Sequence, residues 1–74
     1  MSPKLIEITS GILGVAAEEL NPDSSPKTLP QWTSLAHVTI VAALEQECNV
    51  MFEMSEILSI KSLGDLDRLL AAKS

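Results

Sequence analysis

An all-α fold is predicted for this chain: a bundle of three main helices and one short helix, with a long loop after the first helix. Apolar residues recur at helical spacing in four segments, and three of the four prolines fall between residues 22 and 30, outside those segments. With 74 residues, one cysteine and one histidine, the chain can form neither an internal disulfide nor a Cys/His zinc site. We therefore expect a single domain, residues 1–74, held together by apolar packing.

The first helix is predicted between Ser2 and Gly14. Ser2 suits the N-cap, Pro3 suits the first turn because its missing N–H is not needed there, and Gly14 is a natural stop. One side of the helix is polar and the other is apolar, which is typical of a surface helix. The expected core stripe consists of Leu5, Ile8, Ile12 and Ala16, flanked by Ile6 and Leu13.

Residues 14–33 are predicted to form the long loop, because its prolines remove backbone donors and favour extended geometry before them. A short helical turn is expected within Ala16–Leu20. Loops of this length are uncommon in small domains unless they have a function. Four side chains are expected to hold the loop on the core, namely Val15, Leu20, Leu29 and Trp32.

The second helix is predicted to begin at Thr33 or Ser34 and to run through Cys48, with Asn49 as a left-handed terminator. It has apolar residues on two arcs, whereas a surface helix needs only one. The second arc must be buried by another element or offered to a partner. The core arc consists of His37, Ile40, Val41, Leu44 and Cys48, and the second arc of Leu35, Val38 and Ala42, with Thr39 beside it.

Two further helices complete the prediction. A short helix is expected over Glu53–Leu58, with Met54, Ile57 and Leu58 facing inward. The final helix is expected to begin at Ser62, where Asp65 in the first turn favours the helix dipole. Its core side is lined by Leu63, Leu66, Leu69 and Leu70.

The charge of the chain argues against several classes of partner. Ten acidic and five basic residues give a formal net charge of −5. The basic residues are scattered, so they form no stripe that would bind nucleic acid or an anionic membrane. No segment suits a membrane span, and the expected location is the cytoplasm. The basic residues are Lys4, Lys27, Lys61, Arg68 and Lys73.

We expect neither a catalytic site nor a metal site. A nucleophile and a base would have to be Ser34 and His37, one helical turn apart, but a small helical bundle supplies no enclosed cleft or oxyanion hole. His37 is therefore interpreted as a structural histidine bonded to the loop. Ser34 is open to two interpretations: a cap or first-turn residue, or an exposed hydroxyl at the positive end of a helix that suits a phosphodiester.

The other notable side chains are interpreted as structural. Cys48 is expected to be a small buried hydrophobe, Met51 and Met54 to lie in the core, and Trp32 to anchor the loop. Four glutamates form either a solvated surface or an acidic patch for a basic partner: Glu45, Glu47, Glu53 and Glu56.

The segment WTSLAHV at 32–38, followed by IVAALE at 40–45, resembles the acyl carrier protein family, in which a Ser-Leu pair leads into an apolar helix that ends in acidic residues. The resemblance covers nearly the whole chain. Its further parts, in the expected order, are the first helix, Glu18–Leu20 in the loop, Glu45–Val50 and Ser62–Leu66.

This resemblance implies an acyl-carrier-like four-helix bundle in which a phosphopantetheinyl transferase attaches 4′-phosphopantetheine covalently to Ser34. The arm would carry an acyl group as a thioester to enzymes of fatty acid, polyketide or specialised biosynthesis, and the carrier, expected to be a monomer, would catalyse nothing itself. Loading and transfer enzymes with apolar or basic patches would dock on Leu35, Val38, Ala42 and Glu45.

The chain departs from the family pattern in three ways. Thr33 stands where the family usually has Asp, Ala36, His37 and Thr39 stand where carriers of fatty acid synthesis have acidic residues, and Cys48 replaces a large aromatic. Negative charge is displaced to the four glutamates, which favours a specialised pathway with few partners. Two alternatives stay open: a peptidyl or aminoacyl carrier, and a non-acylated helical interaction module.

Overall fold

A computed structural model of the chain describes residues 1–73. Four α-helices and one 3₁₀ turn make up this part of the chain, and no strand occurs in it. The predicted all-α bundle of three main helices and one short helix is confirmed. The helices are α1 Pro3–Leu13, α2 Ser34–Cys48, α3 Met54–Ser59 and α4 Leu63–Lys73, and the 3₁₀ turn is Ala17–Glu19.

The ends of α1 follow from local capping. The Ser2 hydroxyl accepts a hydrogen bond from the backbone N–H of Leu5 at 3.4 Å, and Gly14 ends the helix with a left-handed φ of 69°. Both predicted boundaries are confirmed. The buried stripe of α1 is rotated from the expected one and consists of Leu5, Thr9 and Leu13.

Three predicted members of the α1 stripe lie elsewhere. Ile8 and Ile12 are half-buried beside the stripe and pack on its flank. Ala16 is exposed, because the left-handed residue Gly14 turns the chain away before it. Helical spacing beyond a terminator therefore carries no information about burial.

The long loop is held on the core as predicted. Val15, Leu20 and Trp32 are buried, and Leu29 packs partly buried against them. The 3₁₀ turn lies within the predicted turn at Ala16–Leu20.

The loop also caps α4. The backbone N–H of Leu63 donates to the Ser24 carbonyl at 2.8 Å, and that of Gly64 donates to the Pro22 carbonyl at 2.9 Å. The loop approaches so closely that a Cβ on Gly64 would lie 3.0 Å from the Pro22 oxygen. The final helix therefore starts on acceptors that the loop supplies.

Helix α2 has one buried and one exposed face, so the second apolar arc is not buried by another element of residues 1–73. Ile40, Val41 and Leu44 are buried, whereas 76% of Leu35 and 59% of Val38 are exposed. The helix ends at Asn49, whose φ of 54° is left-handed, as predicted. Two residues of the expected core arc, His37 and Cys48, are only half-buried at its edge.

The predicted inward face of α3 is wrong. Met54 and Leu58 are exposed, at 68% and 72%, and only Ile57 packs on the core. The residues that hold this segment down are instead Phe52 before the helix and Ile60 after it, and both are buried. Because these two anchors fix the ends of a six-residue helix, they turn Met54 and Leu58 to the outside.

Met51, also expected in the core, is 76% exposed in the connection between α2 and α3. The neighbouring Phe52 takes the core position instead and is buried.

Helix α4 closes the bundle. Leu63, Leu66 and Leu70 are buried and Leu69 is half-buried, in agreement with the predicted core side. The carboxylate of Asp67, on the same helix, accepts a hydrogen bond from the backbone N–H of Ser2 at 3.0 Å. This bond ties the start of α1 to α4. No helix within residues 1–73 is long and apolar enough to cross a membrane.

Candidate functional site

Ser34 is the first residue of α2, and its side chain is exposed. Capping falls to the preceding residue, because the Thr33 hydroxyl accepts the Ala36 N–H at 3.2 Å. Within residues 1–73 neither the Ser34 hydroxyl nor the backbone N–H groups of Ser34 and Leu35 have a hydrogen-bond partner. The positive end of α2 therefore presents a free hydroxyl beside two free N–H donors.

A cleft of about 360 Å³ adjoins Ser34 between the loop, α2 and α3. Its walls are mainly apolar, and Thr33 and Ser34 stand among the lining residues. The sequence did not place α3 at this site. The other lining residues are Pro26 and Trp32 from the loop, His37 and Val38 from α2, and Met54, Ile57, Leu58 and Ile60 from α3 and its end.

His37 joins the three elements around the cleft. The indole Nε1–H of Trp32 donates to His37 Nδ1 at 3.0 Å, and His37 Nε2 lies 3.0 Å from the carbonyl oxygen of Ile57. The two rings also stack, with centroids 6.0 Å apart. This arrangement requires a neutral imidazole that accepts at Nδ1 and donates from Nε2.

The prediction that His37 is a structural histidine bonded to the loop is confirmed by its contact with Trp32. Both ring nitrogens are engaged in this arrangement. As long as both bonds are kept, neither nitrogen can take the proton of Ser34, one turn earlier on the same helix.

The exposed apolar arc of α2 continues onto α3. Leu35, Val38 and Ala42 are exposed, and Val38 lines the cleft together with Met54 and Leu58. The residues predicted to form a docking side therefore share one surface with two residues that were assigned to the core.

The four glutamates do not form one free acidic patch. Glu45 Oε2 accepts the backbone N–H of Phe52 at 2.9 Å, and Glu47 lies 3.6 Å from the Lys4 ammonium. Glu45, a predicted docking residue, thus also holds the chain segment that leads into α3. Glu53 is exposed just before α3.

Glu56 connects the start of α3 to the end of α4. Its carboxylate accepts the backbone N–H of Glu53 at 2.8 Å, and this bond is the main cause that lowers its pKa below the ordinary 4.5. The Lys73 ammonium, 3.0 Å away, lowers the pKa further, while partial burial opposes the shift. Lys73 also lies 5.4 Å from the centroid of the Phe52 ring. The pair connects α4 to α3.

Within residues 1–73, no group of three or more His, Cys, Asp or Glu side chains is arranged to hold a metal ion. Cys48, a free half-buried cysteine, packs against the core and borders a groove with Met1 and Asp67.

Comparison with known families decides the identity of the domain. A family model described as the phosphopantetheine attachment site matches residues 3–70. The chain belongs to this family. The predicted membership is confirmed, and the chain is a carrier-protein domain of the kind that phosphopantetheinyl transferases modify and that interacts with biosynthetic enzymes.

Among solved structures, the carrier domain is similar to the holo acyl carrier protein from Geobacter metallireducens, determined in solution by NMR. The TM-score is 0.85 with 26% sequence identity, over 95% of this chain and 80% of that chain. No curated protein sequence matches the chain.

The cofactor of this carrier family is covalently attached 4′-phosphopantetheine. The site around Ser34 suits such a group on three counts. The hydroxyl is accessible, two unpaired N–H groups at a helix N-terminus favour a phosphate, and the adjoining cleft gives the arm an apolar surface.

Proposed function

We propose that Ser34 Oγ is the attachment point of 4′-phosphopantetheine. The chain then carries an acyl group as a thioester on this arm and delivers it to enzymes of fatty acid, polyketide or specialised biosynthesis. The observation that carries the proposal is the Ser34 hydroxyl itself, exposed at the start of α2, without a hydrogen-bond partner within residues 1–73, and next to the cleft.

The residues of the chain contribute position and charge rather than catalysis. Attachment forms a bond between Ser34 Oγ and the phosphorus next to the pantetheine arm of a nucleotide diphosphate-ester donor. The P–O bond between the two phosphates of the donor breaks, the nucleotide leaves with the other phosphate, the hydroxyl proton is lost to a base of the transferase or to solvent, and Ser34 retains a phosphodiester anion. The free N–H groups of Ser34 and Leu35 and the dipole of a 15-residue helix favour that anion. The arm supplies the thiol that forms the thioester. Thr33 keeps the helix end in place without using the Ser34 hydroxyl.

The docking side is proposed to be the exposed arc of α2, Leu35, Val38, Ala42 and Glu45, extended by Met54 and Leu58. Apolar side chains with exposed fractions of 59% to 76% favour burial against a partner enzyme.

A specialised pathway is proposed because acidic residues are absent from the start of α2. The first acidic residue on this helix is Glu45, 11 positions after Ser34. Partner contacts near Ser34 are therefore apolar, and electrostatic recognition acts farther along the helix.

Intact-mass measurement after co-expression with a broad-specificity phosphopantetheinyl transferase tests the proposal. The wild-type chain should gain one prosthetic group, and Ser34→Ala should gain none. Ser55→Ala, which changes another exposed serine, is the matched control and should be modified like wild type. An unmodified wild-type chain beside a modified control carrier, or a modified Ser34→Ala chain, would contradict it.

Loading assays on the modified chain address the nature of the cargo. The proposal predicts that acyl groups are loaded by acyl-transferring enzymes. Loading by amino-acid-adenylating enzymes alone would instead identify a peptidyl or aminoacyl carrier.

The exposed Leu35 and Val38 side chains also suit a module that binds a partner directly. In that case Ser34→Ala would leave partner binding and cellular function intact.

A further inference from the structure

His37 is the single histidine of the chain and Trp32 the single tryptophan, and they are joined side chain to side chain. Trp32 lies two residues before Ser34 and forms part of the cleft wall on the loop side. Ile57, whose carbonyl oxygen lies 3.0 Å from His37 Nε2, belongs to α3 on the other side of the cleft, and we call the hydrogen-bonded set Trp32–His37–Ile57 the relay. The relay therefore spans the cleft.

The two hydrogen bonds of His37 respond differently to protonation. The neutral ring accepts at Nδ1 from the Trp32 indole and donates from Nε2 to the Ile57 carbonyl. The imidazolium ion carries a proton on both nitrogens and accepts nothing. Its Nε2–H still donates to Ile57, but its Nδ1–H faces the indole N–H, and two donors cannot bond.

We propose that His37 is a proton-sensitive latch on the cleft beside Ser34. One proton from solvent adds to Nδ1, the indole N–H loses its imidazole acceptor, and the buried Trp32 loosens from the cleft wall until its N–H can bond water. The bond to Ile57 is kept, so α3 stays in place. The latch thus opens on the loop side, and acid favours the open form.

No charged group of the cleft would attract or repel the imidazolium ion of His37, because no carboxylate or ammonium group is among the residues that line the cleft. The charged residues of the elements packed around His37 have other partners or are exposed. On α2, Glu45 accepts the Phe52 N–H and Glu47 pairs with Lys4. On α3, Glu56 pairs with Lys73. Three further charged side chains, Glu53 before α3 and Asp23 and Lys27 in the loop, are exposed.

The latch itself needs no prosthetic group, since all three of its members belong to the chain. Its consequence for the carrier, a cleft more open to the arm and its cargo at lower pH, rests on the proposed attachment to Ser34. The test therefore uses the complete chain without the prosthetic group, so that a failure of the latch and a failure of the attachment remain distinguishable.

NMR of the ¹⁵N-labelled chain between about pH 8 and pH 5, the range in which histidine changes charge, tests the proposal. At the upper end we expect the Nε2–H tautomer of His37. As the imidazole nitrogens titrate, the indole N–H resonance of Trp32 should shift with the same midpoint. Amide resonances of α1 are the internal control and should not follow this transition. The Nδ1–H tautomer, or an indole resonance that ignores the titration, would overturn the latch.

His37→Gln separates the latch from a general effect of acid. Glutamine stays uncharged and still carries a donor for the Ile57 carbonyl, so the indole resonance should lose its pH-dependent shift. An indole shift as large as that of wild type would overturn the proposal. If circular dichroism shows that the variant does not fold, the tautomer and the shared midpoint of the wild-type chain decide alone.

Discussion

At the start of α2, two adjacent hydroxyl residues have different roles. The Thr33 hydroxyl accepts the Ala36 N–H and caps the helix, while the Ser34 hydroxyl makes no hydrogen bond within residues 1–73. The sequence left both roles open for Ser34, because a helix boundary predicted to within one residue cannot say which hydroxyl is the cap. In the structure the boundary lies so that Thr33, and not the proposed attachment residue, caps the helix.

This division of roles predicts unequal effects of two alanine substitutions. Thr33→Ala should lower the free energy of unfolding by about 1 kcal/mol, the usual value of an N-cap side chain. Ser34→Ala should change it far less, because no hydrogen bond is lost. Urea denaturation of the two variants and wild type measures both. Equal losses would show that Ser34 also caps the helix.

Thr9 is a polar residue in the core. Its side chain is fully buried, and its hydroxyl has no hydrogen-bond partner within residues 1–73. Thr9→Val keeps the shape and removes the unpaired group, so the free energy of unfolding should rise by about 1 kcal/mol. Denaturant unfolding measures the change. The control is Ser10→Ala, which should be destabilising because the Ser10 hydroxyl donates to the Val15 carbonyl at 2.6 Å. A destabilising Thr9→Val would contradict this account.

At the level of helices, the two faces of α2 give the sharpest contrast. Val38 is 59% exposed and Ile40, two residues later, is 1% exposed. Val38→Asp should therefore impair transfer by partner enzymes and leave the helical circular dichroism signal unchanged. Ile40→Asp should unfold the chain, because it buries a carboxylate without a partner. Normal transfer by Val38→Asp would remove this arc from the docking side.

None of the residues of α3 is fully buried, so the polar contacts of this helix are expected to contribute to its stability. Glu56 is central to them, and its lowered pKa means that its stabilising contribution is present above the ordinary value of 4.5 and is lost as pH falls through the folded value. We expect Glu56→Gln to be less stable than wild type at neutral pH.

The difference in stability between Glu56→Gln and wild type should narrow in acid, because Glu56 of the wild type is then protonated and uncharged, like the glutamine. Thermal unfolding at about pH 7 and about pH 3 measures both differences. Glu18→Gln, at an exposed position without an ion pair within residues 1–73, is the control. A difference that is constant with pH would show that the charge of Glu56 does not stabilise the fold.

Across the whole molecule, stability is expected to be uneven. The buried core involves α1, α2 and α4, whereas α3 rests on Ile57 and its two flanking anchors. Amide hydrogen exchange should therefore be fastest in α3 among the four helices and slowest around Ile40 and Leu44. Exchange in α3 as slow as in α2 would show that α3 opens only when the whole chain unfolds.

The parts of the fold that were predicted correctly from the sequence depend on contacts between residues that are close together in the chain. Ser2, Gly14 and Asn49 fix helix ends through contacts with near neighbours. These local signals could not predict which face of α3 is buried. In a helix of six residues, several combinations of apolar residues satisfy helical spacing. The choice depends on Phe52 and Ile60, which lie outside the helix.

The same division applies to the candidate site. Ser34 and its exposed arc follow from the pattern of α2, and a bond from His37 to the loop was expected. The contact between His37 and α3 was not expected, because Ile57 lies 20 residues from His37 in the sequence. Contacts at such separation depend on how the helices pack, which periodicity does not encode.

The carbonyl groups of Pro22 and Ser24, which accept the first N–H donors of α4, bear on how this scaffold can be re-engineered. A replacement loop taken from another carrier would have to bring matching acceptors, and a residue larger than glycine at position 64 would press its Cβ against the Pro22 carbonyl, which would have to shift by a few tenths of an ångström. For the design of a chimera, residues 22–24 and 63–64 are therefore best exchanged together, because the loop and the helix start are fitted to each other.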